Sequence, residues 1–344
     1  MATSPDLIPV LVTVKFTPEM LAAFGEISSR LDIMVHPVNQ IEDVPEDVWA
    51  RAEILYTSHL VPEPAMAPAL RWIQVHSAGV DHIIDQPIVQ QENIHVTSAS
   101  GIHVTSMAEY TFAMMLYFSR KIPTLLAHQA TAHWPTGDEY DTFGAIELRG
   151  STVGIVGYGS VGREIARLAN AFGMKVLASK RDVLHPADTN SYTLPGTGDP
   201  QGEFFERLYP PEAVTTMVRD CDFVVVTVPL TDATRNMVDA DVIGAMKKTA
   251  YLINVGRGGV VDEDALLDAL RSKAIAGAAL DVFETEPLPA DDPLWKLPNL
   301  IISPHLSGVS NTYAERAGDL FIENLRRYVA HKDLLNEVNL GHGY

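Results

Sequence analysis

The chain has 344 residues, of which 47% are hydrophobic and 20% are charged, so it can bury a core and is not generally disordered. Its 44 acidic and 25 basic residues give a net charge of −19, which disfavours binding to nucleic acid or anionic membranes. A small anionic substrate stays possible, because a local site can be cationic within an acidic surface. At roughly 150 residues per domain, the length predicts two domains.

Cys221 is the only cysteine, so the sequence excludes an intramolecular disulfide and a cysteine-rich zinc site, and we expect no bound metal. The N-terminal segment lacks the basic start and apolar core of a signal peptide. No apolar run approaches the roughly 18 residues of a membrane span. We therefore expect a cytoplasmic protein without a membrane partner.

The first 100 residues alternate between short apolar runs and polar segments, a pattern that indicates β-strands joined by other elements. Residues 107–126 then show the pattern of one long amphipathic helix that can bridge two domains. The predicted strands are IPVLVTV, DIMVHPV, AEILYTS, LRWIQVHSA and IHVTSAS.

From about residue 150, β-branched runs alternate with helical stretches, which predicts a parallel sheet covered on both faces. Residues 183–202 are rich in Pro, Gly and Asp and predict an exposed loop inserted after a strand. Residues 311–333 predict a helix that packs back on the N-terminal domain and makes that domain discontinuous. Strands are predicted at residues 152–157, 175–179, 222–230, 251–255, 276–283 and 299–303, and helices at 160–172, 239–248 and 262–272.

A glycine-rich loop directly follows the strand at 152–157 and opens the next helix. Its first glycine permits a tight turn, its second lets a pyrophosphate approach the backbone, and its third allows close packing of helix on strand. The two amides after the second glycine point at phosphate, aided by the positive helix end. Such a loop can also be a structural turn, but the strand–loop–helix–strand context predicts dinucleotide binding. The loop consists of Gly157, Tyr158, Gly159, Ser160, Val161 and Gly162.

The end of the next strand indicates which dinucleotide is bound. An NAD site usually has an acidic residue there, which accepts hydrogen bonds from the ribose hydroxyls. This strand ends in Ser179, Lys180 and Arg181, a hydroxyl and two cations that suit a 2′-phosphate. NADP(H) is therefore the predicted cofactor and NAD(H) a possible one. The alternative is a solvated cationic pair with Asp182 as the ribose-binding acid, one position out of register.

Three later segments lie at the predicted carboxyl ends of strands, where open α/β sheets bind ligands. They contribute Arg257, Glu286 and His305, the groups that a 2-keto acid reductase needs. The arginine fork can bind a carboxylate, and the imidazole can protonate a carbonyl oxygen as hydride arrives. Glu286 can orient the imidazole and favour its charged form. Asp281 can accept a hydrogen bond from the nicotinamide carboxamide. Each residue alone could be structural, but three together at neighbouring strand ends favour a catalytic site.

At these residues the chain resembles the NAD(P)-dependent D-isomer-specific 2-hydroxyacid dehydrogenases, over about residues 50–330. The resemblance implies a catalytic triad of Arg257, Glu286 and His305. It also implies two Rossmann-like domains with an active-site cleft between them, and a homodimer joined through the coenzyme domains. The four motifs that carry it, in order, are G-Y-G-S-V-G, N-V-G-R-G-G-V-V-D-E-D-A-L, D-V-F-E-T-E-P-L and S-P-H-L-S-G.

The resemblance also assigns roles outside the triad. It implies that the amides of Ala78 and Gly79, in the segment HSAGVDHI, bind the substrate carboxylate. Trp134 matches a tryptophan at the family's subunit contact, although it could instead fill the core. Leu60 and His103 are candidates for the pocket that selects the substrate side chain. The matching cofactor segments place Val104 near the nicotinamide and an apolar wall beside the adenine, and contain Val104, Val228, Pro229, Thr234, Val255, Gly256 and Gly308.

From this we expect a substrate domain at residues 1–106 and 313–344 and a dinucleotide-binding domain at 107–312. The chain departs from the family in three ways. The acidic ribose-binding residue is missing, Asn254-Val255-Gly256 replaces the usual Asn-Thr-Ala, and the loop at 183–202 is longer and lies near the adenosine end.

The predicted function is reversible hydride transfer between NADP(H) or NAD(H) and a small 2-keto or D-2-hydroxy acid, such as glyoxylate, hydroxypyruvate or a larger 2-keto acid. One alternative is a formate dehydrogenase, a branch in which Gln accompanies the histidine; Glu286 argues against it. The other is a nucleotide-sensing binding protein like the corepressor branch. Tight cofactor binding with turnover unchanged by His305→Ala would favour that alternative.

Overall fold

A computed structural model describes residues 7–188 and 191–341. Within these ranges the chain forms two compact units. The first contains residues 7–103, 191–194 and 310–341, and the second contains residues 104–188 and 195–309. The first unit is therefore built from separate parts of the chain, as the predicted fold class requires.

In the described part of the first unit, sheet A has five parallel strands in the order β2-β1-β3-β4-β5. Alternate side chains of each strand point to opposite sides of the sheet, so the apolar residues of a strand cover both of its faces. Leu11, Leu55 and Ile73 belong to one buried cluster, and Val10 and Ile54 to the other. The strands are β1 (Ile8–Val12), β2 (Leu31–Val35), β3 (Ile54–Thr57), β4 (Trp72–Val75) and β5 (His95–Thr97).

The C-terminal helix packs on this sheet, as predicted. Phe321 and Leu325 are fully buried in the cluster that contains β1, and the Phe321 ring lies 5.1 Å from that of Phe24. The helix ends at Val329, four residues earlier than predicted, and His331 then adopts a left-handed φ of 52°. The helices of this unit are α1 (Pro18–Glu26), α2 (Glu46–Arg51) and α9 (Tyr313–Val329).

Sheet B of the second unit has, within the described ranges, seven parallel strands in the order β12-β11-β10-β9-β6-β7-β8. Both of its faces are covered, as predicted: Val224 and Val226 lie in one buried cluster, and Phe223 and Val225 in another. The strands are β6 (Thr152–Val156), β7 (Lys175–Ser179), β8 (Arg207–Tyr209), β9 (Phe223–Val226), β10 (Tyr251–Asn254), β11 (Gly277–Leu280) and β12 (Leu300–Ile302).

The helix predicted over residues 107–126 is instead two helices, and that prediction is wrong. Lys121 adopts a left-handed conformation with φ 55°, and Pro123, which has no N–H to donate, occupies the first turn of the second helix. The helices of the second unit are α3 (Val104–Ser119), α4 (Ile122–Ala130), α5 (Ser160–Ala171), α6 (Val214–Met217), α7 (Ala240–Ala245) and α8 (Glu263–Ser272). Short 3₁₀ helices occur at Ile41–Asp43, Gly137–Phe143, Pro211–Ala213, Val218–Asp220 and Pro293–Lys296.

The loop at 183–202, of which residues 183–188 and 191–202 are described, is only partly exposed. Asp199 is 3% exposed, and its side chain accepts hydrogen bonds from the Tyr158 hydroxyl and from the amides of Gly202, Glu203 and Phe204. The prediction of an exposed loop therefore misses a buried anchor.

Candidate active site

The carboxyl edge of sheet B brings most of the predicted site residues together. The strands β10, β11 and β12 are neighbours, so the loops that follow them, with Arg257, Glu286 and His305, leave the sheet side by side. The glycine loop follows β6 at the same edge, and Ser179 ends β7. Because all strands are parallel, the segments predicted to be catalytic and those predicted to bind the cofactor share one edge, where such sheets bind ligands.

His305 and Glu286 form a direct pair. The imidazole Nδ1 lies 2.8 Å from Glu286 Oε2, while Glu286 Oε1 accepts a 2.9 Å bond from the amide of Phe283. An ionised carboxylate only accepts, so the ring donates from Nδ1, and Nε2 is the nitrogen that can exchange a proton with a substrate. Both side chains are partly exposed, at 49% and 36%.

Asp281 organises the loop that carries His305. It is fully buried, and its carboxylate accepts hydrogen bonds from the Ser303 hydroxyl at 2.5 Å and from the amides of Leu306 and Ser307 at 2.9 and 2.8 Å. Its backbone oxygen also accepts from the amide of His305 at 2.8 Å. A buried carboxylate with three donors holds the backbone on both sides of the imidazole.

The hydroxyl of Tyr110 continues this network, lying 2.6 Å from Ser303 Oγ. Burial raises the pKa of Tyr110, so its hydroxyl stays protonated. Neither Ser303 nor Tyr110 was predicted from the sequence. Ser303 could have been found, since it opens the motif that contains His305, whereas Tyr110 lies on a distant helix.

The Arg257 loop is fixed by its neighbours. The Asn254 side chain accepts from the amide of Gly256 at 3.1 Å and donates to the backbone oxygen of Arg257 at 2.9 Å. A Cβ at Gly258 would overlap with the backbone of Phe283, so only glycine lets this loop lie against the one that carries Glu286. The guanidinium donates to the oxygen of Gly256 at 3.0 Å.

The glycine loop has the shape that a dinucleotide requires. Gly157 has φ 110°, and a Cβ there would come within 2.8 Å of Thr227 Oγ1, while a Cβ on Gly162 would overlap with the oxygen of Gly157. At Gly159, by contrast, no heavy atom of the described chain lies within 4 Å of such a Cβ. The helix α5 begins at Ser160 without a side-chain cap among the described residues. This open space in front of helix amides fits a diphosphate.

The adenosine end lies beside this loop. The oxygen of Ser179 accepts from the amides of Gly157 and Tyr158, which ties the end of β7 to the glycine loop. The Asp182 carboxylate bonds the His185 ring at 2.8 Å and the amides of Leu184 and His185. These bonds, first that of the His185 ring, lower the pKa of Asp182. Its oxygens are thus engaged in a turn, which disfavours Asp182 as the ribose ligand.

Other residues that were predicted to bind the cofactor are buried or lie in hydrogen-bonded turns. Thr234 Oγ1 donates to the oxygen of Pro229 at 2.6 Å and so closes the turn after Val228. The oxygen of Gly308 accepts from Ser106 Oγ at 3.3 Å, close in sequence to Val104. Val104, Val255 and Gly256 are buried, and a Cβ at Gly256 would lie 2.6 Å from the oxygen of Val228.

In the first unit, the predicted carboxylate loop follows β4. Its first residue, His76, is held by Tyr56, whose hydroxyl lies 2.6 Å from Nδ1, and by Tyr313, whose hydroxyl donates to the His76 oxygen at 2.7 Å. Burial lowers the pKa of His76 to about 4, so the ring is neutral and Tyr56 donates to it. These two tyrosines were not predicted. Ala78 and Gly79 follow, and Ser77 Oγ donates to the Gly79 oxygen at 2.7 Å.

The pocket candidates lie in the same unit. Leu60 is 5% exposed, and its amide donates to Thr57 Oγ1, while the ring of His103 lies 4.8 Å from that of Tyr313. Trp134 belongs to the second unit and is 81% exposed, so the alternative that it fills the core is wrong.

The described residues contain neither a metal-binding cluster nor a membrane-spanning helix. Between residues 7–188 and 191–341, no group of three or more His, Cys, Asp or Glu side chains is arranged to hold a metal ion. In the same ranges, no helix has both the length and the apolar character to cross a membrane.

Comparison with known proteins gives consistent matches. A family model described as D-isomer specific 2-hydroxyacid dehydrogenase, NAD binding domain, matches residues 112–307. A glyoxylate reductase of Thermofilum pendens is 35% identical over 75% of this chain and 72% of its own length.

Two solved structures cover almost the whole chain. A D-isomer specific 2-hydroxyacid dehydrogenase from Xanthobacter autotrophicus, in complex with NADPH and MES, has a TM-score of 0.78 and 27% identity over 98% of this chain and 100% of its own. An NADPH-dependent glyoxylate/hydroxypyruvate reductase from Sinorhizobium meliloti, in complex with NADP and sulfate, has a TM-score of 0.76 and 25% identity over 98% and 100%.

Proposed function

Because the chain belongs to the D-isomer specific 2-hydroxyacid dehydrogenases, and is an NAD(P)-dependent oxidoreductase, we propose that it acts as a glyoxylate/hydroxypyruvate-type 2-keto acid reductase that prefers NADP(H). The observation that carries the proposal is the 2.8 Å pair of His305 and Glu286 at the sheet edge that also carries Arg257 and the glycine loop. In this assignment residues 1–106 and 313–344 bind substrate, and residues 107–312 bind coenzyme.

In the proposed mechanism, substrate binding, hydride supply and proton transfer belong to different groups. The nicotinamide, when bound, supplies the hydride. Arg257 binds the substrate carboxylate through its fork, with help from the amides of Ala78 and Gly79. His305 delivers the proton from Nε2 to the carbonyl oxygen, while Glu286 holds Nδ1–H and stabilises the cationic ring before transfer. In the oxidative direction the same nitrogen accepts the proton from the hydroxyl.

The cofactor-binding residues are those of the glycine loop, from Gly157 to Gly162, with Ser179, Lys180 and Arg181 at the 2′-phosphate. Around the rest of the dinucleotide we propose Val228, Pro229 and Thr234 on the adenine side, and Val104, Val255, Gly256, Asp281 and Gly308 on the nicotinamide side. The space at Gly159 and the cationic end of β7 support this assignment.

The test is turnover on a panel of glyoxylate, hydroxypyruvate and branched 2-keto acids, with NADPH and NADH in parallel. We expect reduction of a small 2-keto acid to the D-hydroxy acid, with a higher kcat/KM for NADPH. Formate with NADP⁺ or NAD⁺ is included because a formate dehydrogenase shares this architecture. The absence of turnover on every keto acid with either cofactor would refute the proposal.

We also propose a homodimer formed by the second unit. Its support is a group of exposed apolar side chains on α4 and the segment after it. In a monomer these side chains would be in unfavourable contact with water. Light scattering coupled to size-exclusion chromatography should give twice the chain mass of 37.6 kDa, and substitution of these residues by serine should lower it. They are Leu125, Leu126, Trp134 and Tyr140. A cytoplasmic location stays a prediction from the sequence.

A further inference from the structure

The glycine loop and the first turn of α5 hold the loop at 183–202 through buried polar groups. Tyr158, Arg163 and Asp199, which we call the loop anchor, are 2%, 3% and 3% exposed. Burying a guanidinium and a carboxylate is costly unless they are paired and hydrogen-bonded. The loop anchor is therefore a specific structure and not a chance contact of a surface loop.

Arg163 contacts two separate parts of the loop. Its Nη1 donates to the oxygen of Asp199 and its Nη2 to the oxygen of Pro186, both at 2.5 Å. The guanidinium also lies over the ring of Tyr158, 4.8 Å from the centroid. The planar guanidinium bonds the two carbonyls through two separate nitrogens held at a fixed distance, a geometry that the single nitrogen of a lysine does not reproduce.

Asp199 secures the other side of the loop anchor. Its Oδ2 accepts from the hydroxyl of Tyr158 at 2.5 Å and from the amide of Phe204 at 2.9 Å, and its Oδ1 accepts from the amide of Glu203 at 2.9 Å. Burial alone would raise the pKa of Asp199, but these bonds and the charge of Arg163 lower it instead. The carboxylate therefore remains ionised and keeps its donors.

The residue before Pro186 contacts the predicted phosphate ligand. Lys180 Nζ donates to the oxygen of His185 at 2.5 Å, so Arg163 and Lys180 bond consecutive carbonyls of the loop. Burial, and then the charge of Arg163, lower the pKa of Lys180, which marks a partly desolvated ammonium. A lysine has three N–H donors, so this bond fixes the position of Nζ without using all of them.

We propose that Arg163 is a positioning residue for cofactor selectivity: through the carbonyls of His185 and Pro186 it holds Lys180 where its ammonium binds the 2′-phosphate of NADP(H). The inference rests on the proposed preference for NADP(H). It adds that selectivity depends on a residue of α5 and on the long loop, as well as on the cations at the end of β7. An alternative is that Arg163 acts only through its charge, which favours any phosphate nearby.

The experiment measures binding without turnover, by calorimetry on the full chain. The probes are adenosine 2′,5′-bisphosphate and 5′-AMP, which differ by the 2′-phosphate. Arg163→Lys keeps the charge and removes the fork, and Glu203→Gln is the matched control, an exposed carboxylate directly after the loop. We expect Arg163→Lys to weaken the bisphosphate about tenfold, the effect of one misplaced charge-assisted bond, and to leave the Kd of 5′-AMP unchanged. Glu203→Gln should bind both probes like the wild type.

The other outcomes separate the two proposals. Equal weakening of both probes by Arg163→Lys, or no change in either, would overturn the positioning role while leaving the NADP(H) preference intact. A wild-type chain that does not discriminate between the probes would overturn the preference and the inference with it. If Arg163→Lys does not fold, Asp199→Asn provides the test, because it weakens the loop anchor without touching the carbonyls of residues 185 and 186.

Discussion

The carboxyl edges of the two sheets support their loops by different means. At sheet B, carboxylates do this: the buried Asp281 holds residues 303–307, and the partly exposed Glu286 holds His305. At sheet A, neutral groups hold the 76–79 loop, namely the hydroxyls of Tyr56 and Tyr313 on an uncharged His76. Carboxylates therefore support the edge of sheet B, which we call the charged edge, and hydroxyls on a neutral ring support the edge of sheet A, which we call the neutral edge.

This difference agrees with the roles that we propose for the two edges. In the proposed mechanism His305 transfers a proton, and such a group needs a partner that stabilises its charged form, the role proposed for Glu286. The 76–79 loop is proposed to bind a carboxylate through its amides, which needs a fixed backbone and no titration, and the aromatic rings beside His76 support that backbone.

The largest effect is expected from His305→Ala. Removing the only proposed proton donor should lower kcat by about 10²–10⁴ while the Kd of NADPH stays unchanged. Stopped-flow turnover and fluorescence titration measure the two quantities. His331→Ala, an exposed histidine of the other unit, is the control. Unchanged turnover would contradict the assignment and favour a nucleotide-sensing role.

A change in cofactor preference is expected from Lys180→Asp combined with Arg181→Ile. Removing two cations and adding an acid should shift the ratio of kcat/KM for NADPH and NADH by about 100-fold toward NADH, because charge-assisted bonds to the phosphate are lost. Lys175→Asp, at the exposed start of the same strand, is the control. An unaltered ratio would mean that the end of β7 does not contact the 2′-phosphate.

Asp281→Asn tests the support of the charged edge. The amide replaces one carboxylate oxygen by an NH2 group, which then faces the N–H donor of either Leu306 or Ser307. The 303–307 loop should therefore lose its order, and kcat should fall about tenfold or more. If Asp281 acts mainly on the nicotinamide carboxamide, the Kd of NADPH will rise instead. Asp291→Asn, an exposed carboxylate, is the control, and both parameters can be read from the same titrations.

The limits of the strands that carry these residues could be predicted from the sequence with unequal success. Strand β7 was predicted at its observed limits, because an apolar β-branched run between polar residues leaves little choice. The strands at 222–230 and 276–283 were predicted too long, since the apolar run continues into the loops that carry Val228 and Asp281. Local patterns mark a strand but not the residue at which sheet pairing ends.

The support of the site could be predicted less well than its chemistry. His305, Glu286 and Arg257 each follow a strand closely and belong to a local motif. Tyr110 reaches Ser303 in the second unit, and Tyr313 reaches His76 in the first, each from a helix distant in sequence where nothing local distinguishes it from a core aromatic. The loop anchor could not be predicted for the same reason, since Asp199 bonds to Tyr158, which lies 41 residues away in the sequence.

The smallest effect is expected at the neutral edge, in the pH dependence of stability. The pKa of His76 is about 4 in the folded chain and near 6.5 when unfolded, so between these values the unfolded state binds a proton that the folded state does not. His76 should therefore cost stability progressively as the pH falls from about 6.5 to about 4, by up to about 3 kcal/mol.

The measurement compares melting temperatures at pH 7 and pH 4.5. His76→Gln cannot titrate, so its drop in melting temperature between the two pH values should be smaller than that of the wild type by about 5 °C. His59→Gln, an exposed histidine of the same unit, should behave like the wild type. If His76→Gln shows the full wild-type drop, the ring is charged in the folded chain, and the 76–79 loop is supported by charge after all.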